Sequence, residues 1–186
     1  PVAACTARGI PVFNSPGANA NAVKELVATG LLLGSRGVID GIDYVRTLHD
    51  IQDEGELNRM LEDHKKKFKG SELVGKTLGV VGLGAIGSLV AEMGLTLGMK
   101  VIGFDPALSV EAAWRLSSQV LKADTLSALF ARCDYISLHL PVLDSTRGLV
   151  NAELLGVMQP GACLLNFARQ EIVDHPALLQ SLENGQ

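Results

Sequence analysis

Aromatic side chains make up only 4% of the 186 residues. A core must therefore be aliphatic, and a hydrophobic content of 47% is ample for one. No apolar run is long and uninterrupted enough to read as a membrane-spanning helix. The opening residues lack a charged-then-apolar leader. Basic residues are not in excess: Lys and Arg number 16 against 20 Asp and Glu, a formal net charge of −4. That balance argues against nucleic acid or an anionic membrane as partner. The three cysteines, Cys5, Cys133 and Cys163, are far apart and form no C-x-x-C. A disulfide framework is not expected, and reduced thiols in a cytoplasmic protein are. Metal-ligand spacing, a G-x-S-x-G turn and a Cys–His nucleophile are also missing.

What is present is an alternation. After about residue 70, short apolar strand candidates trade places with helical patterns: TLGVV then AIGSLVAEMGLTL, KVIGF then VEAAWRL, QVLKA then TLSALFAR, DYISLHL then NAELLGVM, ACLLNF then PALLQSLE. Continuous rather than alternating apolar strands belong to a parallel sheet covered on both faces. The pattern predicts an α/β fold, an open doubly wound parallel sheet of Rossmann type. Upstream, GIPVFNSPG reads as a short strand closed by a Ser-Pro-Gly turn. ANANAVKELVATGLLLG reads as a helix capped by Asn19 or Asn21. Val38 to Lys67 reads as two amphipathic helical pieces. The chain opens on Pro1 and stops at SLENGQ after a helical pattern, so it reads as a piece of a longer polypeptide.

The most informative stretch is KTLGVVGLGAIGSLV, Lys76 to Val90. A strand runs into G-x-G-x-x-G, and a helix opens within the motif. Gly82 permits the tight turn out of the strand, Gly84 lets backbone approach a pyrophosphate, and Gly87 lets helix and strand pack closely. The helix N-terminus then offers unpaired N–H groups and the positive end of its dipole. In KVIGFDP the next strand ends on Asp105. A carboxylate there accepts hydrogen bonds from an adenosine ribose and repels a 2′-phosphate, which predicts NAD over NADP.

Four stretches in order, GKTLGVVGLGAIG, GMKVIGFDP, CDYISLHLPVLDSTRGLVN and MQPGACLLNFARQEIVD, closely resemble the nucleotide-binding domain of the D-2-hydroxyacid dehydrogenases. Within that family the resemblance is strongest to the D-3-phosphoglycerate dehydrogenases. ARGIPVFNSPGANANAVKELV resembles the segment by which such chains leave the substrate domain. The resemblance implies that residues 1–16 end the substrate domain and crossover, and that 17–186 are an NAD-binding domain cut at its C-terminal side. It implies that Ala85 and Ile86 line the pyrophosphate through their backbone and Asp105 takes the ribose. Leu140 and Pro141 would flank the adenine side, with Phe167 and Ala168 at the nicotinamide end. Arg169 matches the family's catalytic arginine, whose planar guanidinium would hold the C1 carboxylate of a small 2-hydroxy acid.

The family's histidine base, its glutamate and its substrate-holding loop have no counterpart in the chain, so the piece alone is expected to be inactive. Gln170 stands where members commonly have glycine. His139, near the end of a strand, reads as a structural residue beside the adenosine half. His175 reads as a solvated first-turn residue, and Asp53 with Glu54 as first-turn charge. Lys65, Lys66, Lys67 and Lys69 read as a solvated helix end. The implied function is hydride transfer between NAD and a D-2-hydroxy acid, 3-phospho-D-glycerate foremost, at the entry to serine synthesis. The same framework also serves dinucleotide-sensing corepressors and glyoxylate- or hydroxypyruvate-type reductases. Leu57, Met60 and Leu61 recur at helical spacing and call for a partner surface, and the resemblance implies a homodimer built by this domain.

Overall fold

The computed structural model describes residues 2–15 and 17–185. Its sheet consists of β1 (Thr77–Val81), β2 (Lys100–Phe104), β3 (Val120–Lys122), β4 (Tyr135–Leu138) and β5 (Cys163–Asn166), all parallel in the order β3-β2-β1-β4-β5. The order reverses between β1 and β4. In such sheets a crevice opens at that point, at the carboxyl ends of the strands. These strand expectations hold to within a residue or two: β1, β2 and β4 are largely buried aliphatic runs, while β3 at the sheet edge is partly exposed. β1 reads half-buried and then four times buried, and β4 is buried throughout.

Helices cover both faces. On one, α2 (Ala20–Ser35) and α5 (Ala85–Thr96) bury Val27, Leu31, Val90 and Ala91 against Leu78, Val80 and Val101. On the other, α7 (Leu126–Phe130), α8 (Ala152–Gly156) and α9 (His175–Glu183) close over Leu129, Phe130, Ile136, Leu138 and Ile172. Gly79 and Gly94 permit the close approach: a β-carbon at Gly79 would lie 2.5 Å from Leu129, and one at Gly94 2.8 Å from Leu78. Thr125, Asn151 and Asp174 cap the last three helices through their side chains, fixing where each begins. At the amino edge, Asp134 ties the starts of β1 and β4 together. It accepts from the Lys76 ammonium at 3.1 Å and from the Thr77 N–H at 2.8 Å.

Before the sheet, α1 (Val2–Thr6), α3 (Val38–Arg46) and α4 (Glu54–His64) are followed by a 3₁₀ turn over Lys65–Phe68. The strand expected in GIPVFNSPG does not form: Ile10 to Ser15 are exposed and belong to no strand, and Ile10 N–H donates back to the Cys5 carbonyl. Apolar β-prone residues suffice for a strand only where a neighbouring ladder takes up their backbone groups. The turn expected at Ser15-Pro16-Gly17 falls partly outside the described residues. Asn19 occupies the N-cap of α2 without a capping bond, and Asn21 instead bonds Glu25 and Lys24 along the helix. Asp53 caps α4 by accepting from Glu56 N–H at 2.7 Å, so its carboxylate is structural. Leu57, Met60 and Leu61 are half-buried. Leu32, Leu33, Val38, Ile39, Ile42 and Val45, on α3 and the end of α2, are exposed.

A dinucleotide-type crevice at the carboxyl edge

The glycines of the turn answer to different constraints. Gly82 has φ 88°, and a β-carbon there would lie 2.5 Å from the His139 carbonyl oxygen and 3.0 Å from the Leu140 side chain. A β-carbon at Gly87 would collide with the carbonyl of Gly82. These two positions are glycine because the fold itself closes on them. Gly84 differs. Its φ of −68° suits any residue, and a β-carbon there would meet nothing within 4 Å. No internal packing requires this glycine, so its bare face leaves an open cradle on the crevice side. It is the N-cap of α5, and no side chain caps that helix. The first N–H groups of α5, at Ala85 and Ile86, therefore face the cradle with the positive end of the helix dipole. An open cradle over an uncapped helix start fits a phosphate.

Asp105 is held where the motif predicts, just past β2. One carboxylate oxygen accepts from Leu83 N–H at 2.8 Å and the other from Ala107 N–H at 2.9 Å. The acid thus braces the glycine turn, and each oxygen keeps a lone pair for a further donor. Leu140 rests against Gly82, and Pro141 is exposed with its carbonyl accepting from the Thr146 hydroxyl at 2.7 Å. Gly82, Gly84, Ala85, Ile86, Gly87, Asp105 and Leu140 therefore converge at the ends of β1, β2 and β4.

Arg169 stands apart, beyond the end of β5 and two strands from β1, roughly 10 Å along the sheet. It is exposed, and its guanidinium donates to the neighbouring Ala168 carbonyl at 2.8 Å. Asn166 shapes the loop: its amide donates to the Arg169 carbonyl at 2.9 Å, and its oxygen accepts from Ala168 N–H at 3.1 Å. The Phe167 ring lies against α2, where a β-carbon at Gly30 would come within 2.9 Å of it. Ala168 packs on the core of the α7–α9 face. Arg169, Gln170 and His175 line one groove of about 660 Å³ along the free edge of β5.

His139 is tied into the fold. Its backbone N–H donates to Val81, its Nε2 lies 2.8 Å from the hydroxyl of the fully buried Ser137, and burial lowers its pKa to about 4. It is neutral near pH 7 and a poor proton acceptor. Cys133 is buried with its thiol pKa pushed up to about 12 by burial, and burial raises Cys163 as well, so the thiolate is disfavoured at both. Sequence reasoning missed the two brackets, Asn166 and the Ser137–His139 pair. A side-chain amide three residues before an arginine was the one visible hint.

Comparison with known proteins agrees with this geometry. Residues 41–186 match the family model described as D-isomer specific 2-hydroxyacid dehydrogenase, NAD binding domain. The chain is 35% identical over 184 residues to D-3-phosphoglycerate dehydrogenase of Methanocaldococcus jannaschii, covering 99% of this chain and 32% of that protein. Among solved structures it resembles D-lactate dehydrogenase from Aquifex aeolicus complexed with NAD and lactic acid. The TM-score is 0.78 at 30% identity, over 99% of this chain and 50% of that one. It also resembles apo D-mandelate dehydrogenase of Rhodotorula graminis, with a TM-score of 0.80 at 29% identity over 99% and 52% of the two chains. The chain thus spans about a third to a half of the relatives it matches. The chain belongs to the D-isomer specific 2-hydroxyacid dehydrogenase family and carries, over residues 41–186, an NAD-binding domain of that family.

Proposed function

We propose that this chain is the cofactor-holding part of a cytoplasmic enzyme that moves a hydride between NAD and a small D-2-hydroxy acid, 3-phospho-D-glycerate foremost. The observation that carries the cofactor half is the open cradle at Gly84 over the uncapped start of α5, with Asp105 beside it. Ala85 and Ile86 receive the pyrophosphate through their N–H groups, and Asp105 accepts from the adenosine ribose. Leu140 and Pro141 flank the adenosine half, while Phe167 and Ala168 border the nicotinamide end. NAD, when bound, supplies the hydride acceptor.

Arg169 is the charged fork for the substrate carboxylate. Its exposed guanidinium has given up one N–H to Ala168, and the remaining donors are free to pair a carboxylate. That pairing orients C2 toward the nicotinamide. Arg169 cannot take the hydroxyl proton at neutral pH. His139 is engaged by Ser137 and holds protons too weakly. The base must therefore come from outside this set. The choice of 3-phospho-D-glycerate rests on the likeness to the Methanocaldococcus D-3-phosphoglycerate dehydrogenase, while the lactate and mandelate enzymes mark the competitors.

We also propose that the domain pairs with a second copy of itself. Leu32, Leu33, Val38, Ile42 and Val45 border an open apolar cleft of about 940 Å³ floored by Tyr44 and Phe68. Apolar surface of this extent on one side of α2 and α3 favours burial in a two-fold interface. Sedimentation at tens of micromolar should give a dimer, and a monomer would contradict it.

The test of the activity is an assay of reduced nicotinamide formation by the gene product that carries this chain, with 3-phospho-D-glycerate, D-lactate and D-mandelate in parallel. Turnover should be greatest with the phosphorylated acid, and Arg169→Lys should raise KM steeply. Activity unchanged in Arg169→Lys would remove the arginine from the reading. A preference for lactate would replace the substrate and leave the rest standing.

A further inference from the structure

The chain has a single tryptophan, and it is among the most exposed of its large side chains. Trp114, just after the one-turn helix α6 (Val110–Ala113), has 84% of its surface open to water. A free-standing indole is unusual, since burying such a ring is strongly favourable. Trp114 borders a cleft of about 760 Å³ that runs along β3, from Ser117 and Val120 at its start to Ala123 and Asp124 past its end, and reaches Asp105 beyond β2. The same cleft is lined by Asp105, Pro106 and Leu108, and by Leu83, whose N–H donates to Asp105. Ser109 caps α6 by accepting from Ala112 N–H at 3.1 Å, which fixes how the chain turns up to Trp114.

We infer that Trp114 is a positioning residue for the dinucleotide, its indole closing over the adenine ring. The inference rests on NAD binding at the glycine turn. Asp105 is the shared landmark, because adenine is joined directly to the ribose that Asp105 would hold. A base leaving that ribose has one side toward Leu140 beyond β4, which is packed against Gly82, and the other toward the open cleft with its Pro106 and Leu108 lining and its indole rim. The sheet order puts these on opposite sides of Asp105. The free volume and the unpartnered aromatic face are both on the β3 side. A flat, neutral, aromatic ligand part answers both, and stacking a base on an indole needs no further polar partner.

The test uses ADP-ribose, which carries the adenosine half without a nicotinamide, together with NADH. Because Trp114 is the only indole, its emission reports on this site alone. Saturating ADP-ribose should quench and shift it, and ADP-ribose has no nicotinamide to act as an energy acceptor. Trp114→Ala should weaken both ligands roughly 5- to 100-fold, the usual span for one stacked base, and Trp114→Phe should restore most of the loss. The substitution removes an exposed ring, so thermal unfolding should not move, which separates positioning from a role in folding. Unchanged emission on ADP-ribose binding, or unchanged affinity in Trp114→Ala, would overturn the inference while leaving the cofactor site intact. If the unmutated chain bound neither ligand, the cofactor reading would fall and this inference with it.

Discussion

At the β1 end of the carboxyl edge, the glycine turn answers to groups just past three strands: Gly82 to the His139 carbonyl beyond β4, Gly87 to the Gly82 carbonyl beyond β1, and Leu83 N–H to the Asp105 carboxylate beyond β2. At the β5 end, Arg169 answers only to its own loop, through Ala168 and Asn166. The first region is built by the sheet, and its geometry is fixed before any ligand arrives. The second is an exposed guanidinium on a short bracket within its own loop. The two ends of the carboxyl edge are thus held by unequal means.

The contrast breaks most visibly at Gly87. Gly87→Ala drives a methyl into the Gly82 carbonyl, and the rigid turn has no room to give. We expect a stability loss of about 3 kcal/mol by chemical denaturation together with loss of measurable NADH binding. Gly84→Ala sharpens the same point from the other side. Its β-carbon meets nothing, so stability should stay within about 0.5 kcal/mol, while NADH binding weakens by about tenfold or more. If Gly84→Ala bound NADH as well as the unmutated chain, the cradle would have no ligand role.

His139 makes the rigidity of the β1 end titratable. Burial holds its folded pKa at about 4 against an ordinary 6.5. Below pH 6.5 the unfolded chain therefore binds the proton and the folded chain resists it. Stability on this account is fully present above pH 6.5 and falls as the pH drops toward 4, by up to about 3 kcal/mol. Denaturant melts across that window should show the slope, and His139→Gln should flatten it. An equal slope in both proteins would mean that other groups carry the pH dependence.

Asp105 gives a smaller effect. NADH should bind at least about tenfold more tightly than NADPH, or about 1.4 kcal/mol, and Asp105→Ala should shrink the gap. Part of that loss will come from the Leu83 N–H it leaves unpaired, so the ratio of the two affinities is the proper readout. The smallest effect on binding belongs to Arg169→Ala. By calorimetry, NADH affinity should change by less than about threefold, because this side chain contributes nothing to the β1 end.

The same inequality decided what the sequence could tell. TLGVV and KVIGF mark β1 and β2 to the residue, because buried parallel strands are uninterrupted aliphatic runs with sharp ends. The glycine motif and Asp105 were legible because backbone geometry at a tight turn restricts residue identity. VFN at Val12–Asn14 misled for the converse reason: its composition is that of a strand, but whether a ladder partner exists is a tertiary fact. Leu57, Met60 and Leu61 showed helical spacing correctly, yet spacing does not say which apolar side chains stay exposed: these three are half-buried, while Val38, Ile42 and Val45 on α3 are exposed. Arg169 was found through resemblance alone. Asn166, which holds its loop, has no periodicity to announce it.

The proposal that this chain holds the cofactor by itself is tested most directly by calorimetric titration of the chain with NADH. The account predicts one saturable site per chain with a dissociation constant in the micromolar-to-millimolar range, and no turnover of 3-phospho-D-glycerate by the same sample. Absence of saturable NADH binding in a folded sample would contradict it.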